Sequence, residues 1–292
     1  MRFLNQIIKK YKSNHWQIAY RMHNSETFVL LDNPSWGWAA DPFPIEYKGE
    51  LYIFAEIFLY KSERNGVIAY CKYDGNKFSD WKVSMDRHWH LSYPNVWVEN
   101  DQLYMCPESY QNEEIAIYKL IELPDKWIKE AVLLNNEKCV DTTFLNHGNK
   151  KYVFVYKPTF IKENGALYLY ELCNGKMNSA RYISDDISNS RPGGNIIKKD
   201  NKIIRVAQNS EGGYGLSLVF NEIKRIEPIY IESPIMSIKA TDIPGDWKKK
   251  FIGIHTYNHN ASIEVVDLKY EVFSLAEYRA RMRVKKVFTN KY

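Results

Sequence analysis

The chain has 292 residues, 40 lysines and arginines against 35 aspartates and glutamates, and a formal net charge of +5. Hydrophobic residues make up 45% of the chain and charged residues 26%, a composition that excludes wholesale disorder. No apolar run reaches the ~20 residues that a membrane span needs, and the four cysteines stand singly and far apart, so they suggest neither a disulfide framework nor a metal knuckle.

The first segment, residues 1–15, is basic and contains no acidic residue. Its apolar residues recur at the spacing of one helical face: Leu4, Ile7, Ile8 and Tyr11. We expect a short basic amphipathic helix that extends from the main domain. Such a helix either packs on the domain with its charges in solvent or docks on an anionic membrane surface.

A short pattern, a polar pair followed by an apolar strand, recurs five times between residues 16 and 270. The equivalent positions in the five copies are Tyr52, Tyr104, Tyr152, Ile204 and Phe251, with successive spacings of 52, 48, 52 and 47 residues. Strand-like stretches precede and follow each copy. Three to four strands every ~50 residues are typical of propeller blades. The sequence therefore predicts an all-β fold, a five-bladed β-propeller over residues 16–270, whose last blade is closed by the strand near Trp16. A pair of β-sandwiches or a solenoid is the alternative, but a sandwich has no reason to repeat at one period.

The last segment, residues 271–292, is again basic and is predicted to be a helical tail. Because basic and aromatic residues do not interleave on any one strand, we expect no nucleic-acid partner. The amino-terminal residues lack the apolar core of a signal peptide. We therefore expect a cytoplasmic protein whose basic ends allow contact with the inner face of a membrane.

Equivalent residues of successive blades form rings around a propeller axis, so the repeat also aligns polar residues. One ring lies eleven residues before the reference positions and contains Asp41, Tyr93 and Asp141, with Arg191 nearby in blade four. A second ring lies four residues after the reference positions and contains Glu56, Glu108, Tyr156, Gln208 and His255. Because an unpaired charge is costly to bury, we expect these residues to face a funnel or to hydrogen-bond one blade to the next.

Carboxylates that converge in a cleft suit glycosyl chemistry, whose transition state resembles an oxocarbenium ion. We expect Asp41 and Asp141 to form the catalytic pair, with Glu108 as the proton donor. Arg191 and Arg205 are expected to bind a phosphate or carboxylate of the substrate bidentately. The other predicted substrate-binding residues are Glu56, His90, Tyr93, Gln208 and His255.

No metal site is predicted. His255 and His259 are four residues apart, a spacing that brings two ligands together on a helix, but the stretch between them is strand-like. Phosphate-loop, dinucleotide and nucleophile-elbow motifs are lacking. The sequence thus implies no certain cofactor and leaves a nucleotide-sugar donor open.

Several short motifs together resemble a known family. They are WAADPF at 38–43, HLSYP at 90–94, YMCPE at 104–108, VD at 140–141, SRPGG at 190–194 and AQN at 207–209, followed by YG at 214–215. In this order they resemble the N-terminal domain of the plant glucosamine inositolphosphorylceramide transferases and its free-standing bacterial relatives. That domain is similar in turn to the five-bladed propellers of arabinanases, xylosidases, invertases and levansucrases.

The resemblance implies that Asp41 corresponds to the nucleophile or base of those propeller enzymes, and Asp141 to the residue that tunes a pKa and orients the substrate. Their catalytic acid, a glutamate at the start of blade four, corresponds to a position near Arg191, so the resemblance supplies no acid. This departure argues against simple glycoside hydrolysis. The resemblance also implies a role in cell-surface polysaccharide assembly.

Our leading hypothesis is a glycosyltransferase of capsule or lipopolysaccharide synthesis with its active site in the propeller funnel. Its partners would be a sugar donor and a glycan or glycolipid acceptor. One alternative is a glycoside hydrolase of the arabinanase or invertase type, with Glu108 recruited as the acid. The other is a glycan-binding module without catalysis.

Overall fold

The computed structural model describes residues 11–62, 65–159 and 165–274. The two predicted terminal helices fall largely outside these ranges, at residues 1–10 and 275–292. Among the described residues, the first strand is β1 (Lys12–Met22), which covers the end of the predicted amino-terminal extension, and the last strand ends at Phe273.

Five antiparallel sheets form the blades of a β-propeller, which confirms the fold predicted from the repeat. The chain enters with β1 and β2 (Val29–Leu30). Blade one contains β3 (Gly37–Tyr47), β4 (Glu50–Leu59), β5 (Gly66–Lys72) and β6 (Lys82–Met85). Blade two contains β7 (Ser92–Glu99), β8 (Gln102–Glu108), β9 (Glu114–Glu122) and β10 (Lys126–Asn135). Blade three contains β11 (Val140–His147), β12 (Lys150–Pro158), β13 (Gly165–Cys173) and β14 (Lys176–Ser184).

Blade four contains β15 (Arg191–Pro192), β16 (Ile197–Lys199), β17 (Lys202–Asn209), β18 (Ser217–Arg225) and β19 (Ile231–Lys239). Blade five takes β20 (Gly253–His259) and β21 (Ile263–Phe273) from the end of the chain. Its sheet is completed by β1, which pairs with β21 along its whole length, and by β2. The predicted closure of the last blade by the amino-terminal strand is therefore correct.

The boundaries predicted for blade five are displaced by one strand. Phe251 was aligned with the second strand of the other blades, but it precedes β20, the first strand of blade five. The reason is the closure itself: because two strands of this blade come from the amino terminus, the carboxy-terminal part supplies only two. Consequently His255 belongs to the ring of Asp41, Tyr93 and Asp141 rather than to the second ring.

Apolar side chains fill the space between neighbouring blades. One such cluster joins blades one and two and includes Phe43, Phe54, Leu103 and Met105, all fully buried. Central strands are covered on both faces, so residues 52–57 of β4 are all buried. The described residues contain two helices, single 3-10 turns at Tyr110–Asn112 and Ala240–Asp242, and neither could cross a membrane.

The first strands of blades one, two and three carry a β-bulge at the same point. The register shifts between Ala40 and Phe43, with equivalent shifts in β7 and β11. At the bulges Asp41, Tyr93 and Asp141 have φ values of 51°, 41° and 52°. Positive φ is strained for residues other than glycine, and such strain concentrates at functional sites. A bulge re-aims its side chain, and these bulges place one polar residue per blade at the hub.

Candidate active site

Asp41 is held at the hub by the two blades that flank it. Its Oδ2 accepts the backbone N–H of Tyr93 at 3.1 Å, and its Oδ1 accepts the hydroxyl of Thr256 at 2.8 Å. The imidazole Nε2 of His255 lies 3.3 Å from the same Oδ1. Burial raises the pKa of Asp41 to about 6, although the neighbouring His255 charge opposes the rise. Asp41 can therefore switch between acid and carboxylate near neutral pH.

Asp267, which the sequence analysis missed, organises this side of the hub from β21. It is fully buried, and its oxygens accept the backbone N–H groups of Asp41, His255 and Thr256 at 2.9–3.1 Å. Its Oδ2 also lies 2.7 Å from Nδ1 of His255. His255 thus stands between two carboxylates, whose charges raise its pKa against the effect of its burial. The arrangement favours an imidazolium and fixes the ring's orientation.

Asp141 forms the second polar centre of the hub. It is 2% exposed and accepts hydrogen bonds from Nε of Arg191 and, at 3.1 Å, from Nε2 of Gln208. Gln208 is fixed in turn by the carbonyl of Pro192 at 2.8 Å. An ion pair of this kind, with further hydrogen bonds to the carboxylate, compensates for the burial of the charge. Asp141, Arg191 and Gln208 were all predicted to face the hub, and the structure brings them together.

Two further carboxyl groups belong to the polar cluster at the hub: Glu56 from β4 of blade one and Glu108 from β8 of blade two. Desolvation, followed by the charge of Asp141, raises the pKa of Glu108 well above its usual range. Burial and then the charge of Asp41 raise the pKa of Glu56 well above its usual range. His90 lies at the edge of this group, its Nε2 3.5 Å from Oε1 of Glu56. A raised pKa favours the protonated form of a glutamic acid, which can donate a proton, and the pKa of Glu108 is shifted in this direction.

The residues of the hub differ in their exposure to solvent. Asp41, Asp141, Glu56 and His255 are more than nine-tenths buried at its base. Arg191, by contrast, has a side chain that is 28% exposed, and Glu108 is also partly exposed. The cluster is therefore a largely buried polar centre that reaches the solvent at Arg191 and Glu108.

Arg205 does not belong to this site, contrary to the prediction that it binds substrate phosphate. Its side chain is fully buried within blade four, where Nε donates to Glu232 at 2.8 Å and Nη2 donates to the carbonyl of Asn189 at 2.8 Å. Successive residues of a strand face opposite sides, and Arg205 points away from the hub into a structural ion pair.

Tyr93 was predicted to bind substrate, but it forms the wall of the hub rather than its open surface. The residue is fully buried. Its hydroxyl contacts Oγ1 of Thr143 at 2.9 Å and both the carbonyl and the N–H of Gly194, at 3.0 and 2.9 Å. These bonds tie blade two to blades three and four. The strained bulge at Tyr93 is thus stabilised by the contacts of its side chain.

Asp41, His255 and Asp267 offer nitrogen and oxygen atoms that all lie within 4.8 Å of one another, a spacing that could hold a metal ion. The oxygens of Asp267, however, already accept three backbone N–H groups and face the imidazole. A cation would compete with these bonds. The donor set fits a hydrogen-bonded framework around Asp41 better than a metal centre.

Two residues of the site were not among the predicted site residues, although the sequence carries a signal for each. Asp267 lies between the apolar residues Val266 and Leu268 of β21, and an acid buried in such a stretch needs an internal partner. Tyr214 lies in the glycine-rich link between β17 and β18, and the guanidinium carbon of Arg191 lies 5.2 Å from its ring centre. The error in the boundaries of blade five hid the first, and the lack of a strand pattern hid the second.

Solved structures of glycoside hydrolases share this fold at low sequence identity. A thermostable family-43 glycoside hydrolase aligns with a TM-score of 0.57 and 14% identity, covering 82% of this chain and 91% of that enzyme. An alpha-L-arabinofuranosidase from Lactobacillus brevis aligns with a TM-score of 0.54 and 12% identity, covering 76% of this chain and 80% of the enzyme. At such identities the likeness shows the fold alone.

Two plant proteins named glucosamine inositolphosphorylceramide transferase 1 are similar in sequence. The protein from Oryza sativa subsp. japonica is 24% identical over 234 residues, and that from Arabidopsis thaliana is 25% identical over 224 residues. These alignments cover 76% and 73% of this chain but only 31% and 29% of the plant proteins. The model of the N-terminal domain of glucosamine inositolphosphorylceramide transferase 1 matches residues 4–270. The chain therefore belongs to the family defined by that N-terminal domain.

Proposed function

We propose that the propeller hub is the active site of a glycosyltransferase that acts in the assembly of cell-surface glycans, such as capsule or lipopolysaccharide. The observation that carries this proposal is the meeting of Asp41, Asp141–Arg191 and Glu108 at one solvent-accessible hub. These groups combine a carboxylate whose pKa is raised to about 6, a glutamic acid whose pKa is raised well above its usual range, and a cation. That set suits the making or breaking of a bond at an anomeric carbon.

In the proposed reaction Asp41 takes the proton of an acceptor hydroxyl as the hydroxyl oxygen bonds to the anomeric carbon of the donor. The bond from that carbon to the donor's phosphate oxygen breaks, and its electron pair leaves with the phosphate. Arg191 lies at the open side of the hub, where its cationic charge would stabilise the departing phosphate. Asp141 orients Arg191, and Glu108, Gln208 and His90 would bind sugar hydroxyls.

The names of the plant relatives support a sugar transfer onto a glycolipid, and this is the acceptor class we propose first. A lipid acceptor would place the protein at a membrane, which fits the basic residues at both ends of the sequence. We accordingly propose a cytoplasmic protein in peripheral contact with the inner face of the membrane.

The proposal is tested by incubating the purified protein with labelled nucleotide sugars and lipid extracts and measuring label in the lipid fraction. Asp41→Asn should lower turnover by at least about a thousandfold, since the base is lost. The wild-type rate should also fall as the pH drops through about 6, where Asp41 takes up its proton. Asp101→Asn, an exposed residue in the turn between β7 and β8, is the matched control and should keep full activity. Full activity of Asp41→Asn would refute the proposal.

A glycoside hydrolase is the second candidate, because the raised pKa of Glu108 supplies the acid that the resemblance lacked. In this reaction Glu108 would protonate the leaving sugar oxygen while Asp41 assists the attack of water. Release of reducing sugar from a glycan without an activated donor would favour hydrolysis. Sugar binding without turnover across all donors would indicate a binding module instead.

A further inference from the structure

We infer that Tyr214 is a stacking platform for a pyranose ring at the mouth of the hub, an inference that rests on the proposed function and identifies where the sugar binds. Tyr214 has no assigned role in the catalytic scheme above. The residue is 45% exposed, although the groups around it are charged or aromatic and closely packed. A large aromatic ring that is both fixed and exposed beside catalytic groups is a contact surface for a ligand.

The backbone on either side of Tyr214 is fixed by specific contacts. Gly215 has a φ of 63°, and a Cβ there would lie 2.5 Å from the Trp16 ring. Only glycine therefore allows the backbone to pass this close to the Trp16 ring. Its carbonyl accepts the N–H of Ile254 at 3.0 Å. The carbonyl of Tyr214 itself accepts a hydrogen bond from Nζ of Lys269. These contacts fix the link between β17 and β18 of blade four against blade five.

The ring of Tyr214 is held by three neighbours. The guanidinium carbon of Arg191 lies over it at 5.2 Å. The rings of His255 and Trp16 meet it at steep angles of 72° and 76°, with centroids 5.2 and 6.0 Å away. Contacts at such steep angles are a preferred geometry for aromatic pairs and restrict the orientation of the ring. Tyr214 thus keeps one orientation while part of its surface faces solvent.

The position of Tyr214 joins the two polar centres of the hub. It touches Arg191, the partner of Asp141, and His255, the partner of Asp41. A ligand on Tyr214 would therefore lie within reach of both carboxylates. The electron-rich face of an aromatic ring attracts the partly positive C–H face of a sugar, and the hydroxyl groups of that sugar remain free to meet the carboxylates. A pyranose ring has both a C–H face for Tyr214 and hydroxyl groups for the carboxylates.

The experiment measures the binding of methyl glycosides of glucose, N-acetylglucosamine and glucosamine by saturation-transfer NMR and calorimetry. Wild type should bind at least one of them, and Tyr214→Ala should weaken that binding about tenfold or more. Tyr214→Phe keeps the ring and should stay within about twofold of wild type. Tyr182→Ala removes a tyrosine that is 56% exposed on β14 in blade three and should bind as wild type does.

Two results would overturn the inference: wild-type affinity in Tyr214→Ala, or no binding of any glycoside by the wild-type protein. Circular dichroism and the melting temperature of each variant show whether it is folded. The transferase assay separates this inference from the proposed function. Transfer activity that depends on Asp41 but not on Tyr214 would leave the function standing and remove the platform.

Discussion

Two arginines of blade four, Arg191 and Arg205, pair with carboxylates in opposite settings. Arg191 pairs with Asp141 at the hub and keeps 28% of its side chain exposed. Arg205 pairs with Glu232 inside the blade and is fully buried. From the sequence, the same role is predicted for both, the binding of a phosphate or carboxylate of the substrate. The charges alone do not distinguish the two pairs; they differ in how far the arginine is exposed to solvent, and only Arg191 is accessible to a ligand.

The largest effect should come from breaking the buried pair. Glu232→Ala would leave the Arg205 guanidinium buried without its main partner, and Tyr230 would lose the hydrogen bond that it donates to Glu232 at 2.6 Å. We expect the free energy of unfolding to fall by about 3–5 kcal/mol. Chemical denaturation measures this loss.

Glu222→Ala is the control for that variant, because Glu222 pairs with lysines whose side chains are about half exposed, Lys202 and Lys224. It should cost less than about 1 kcal/mol. Equal losses in the two variants would contradict the view that Arg205 and Glu232 form a structural ion pair inside the blade.

The same substitution at the two arginines should separate stability from activity. Lysine keeps the charge but loses the planar fork of donors. Arg205→Lys loses the two-point contact with Glu232 and should reduce stability by about 2 kcal/mol. Arg191→Lys sits at an open position, so it should change stability by less than about 1 kcal/mol but lower transfer or hydrolysis about ten- to a hundredfold.

Denaturation and rate measurements on both lysine variants test this separation. A large stability loss in Arg191→Lys with unchanged activity would contradict the proposal that Arg191 serves activity and Arg205 serves stability.

The repeat in the sequence was enough to predict five blades and most of the hub. Blades one, two and three place their first strands in the same way, so the spacing of Asp41, Tyr93 and Asp141 translates directly into a ring. The assignment failed at blade five, because a blade made from both ends of the chain changes the order of its strands. As a result His255 was placed in the wrong ring and Asp267 was overlooked.

The remaining errors concern the direction and the partners of side chains. That Arg205 faces Glu232 depends on the pairing of β17, β18 and β19, which a spacing pattern does not contain. The burial of the Tyr93 hydroxyl depends on Gly194, a residue two blades away. The raised pKa of Glu108 is a property of the assembled hub, since it comes from desolvation and the charge of Asp141.

The central claim is that carboxylates distant in sequence share one site, and the titration of Glu108 tests it most directly. Carbon-13 NMR of glutamate-labelled protein, with Glu108→Gln to assign the signal, would measure the pKa of Glu108 in wild type and in Asp141→Asn. If the two side chains meet at the hub, the wild-type pKa is well above the ordinary glutamate value, and it falls in Asp141→Asn because a negative neighbour is lost and Arg191 is released. An ordinary pKa that is the same in both proteins would contradict the account.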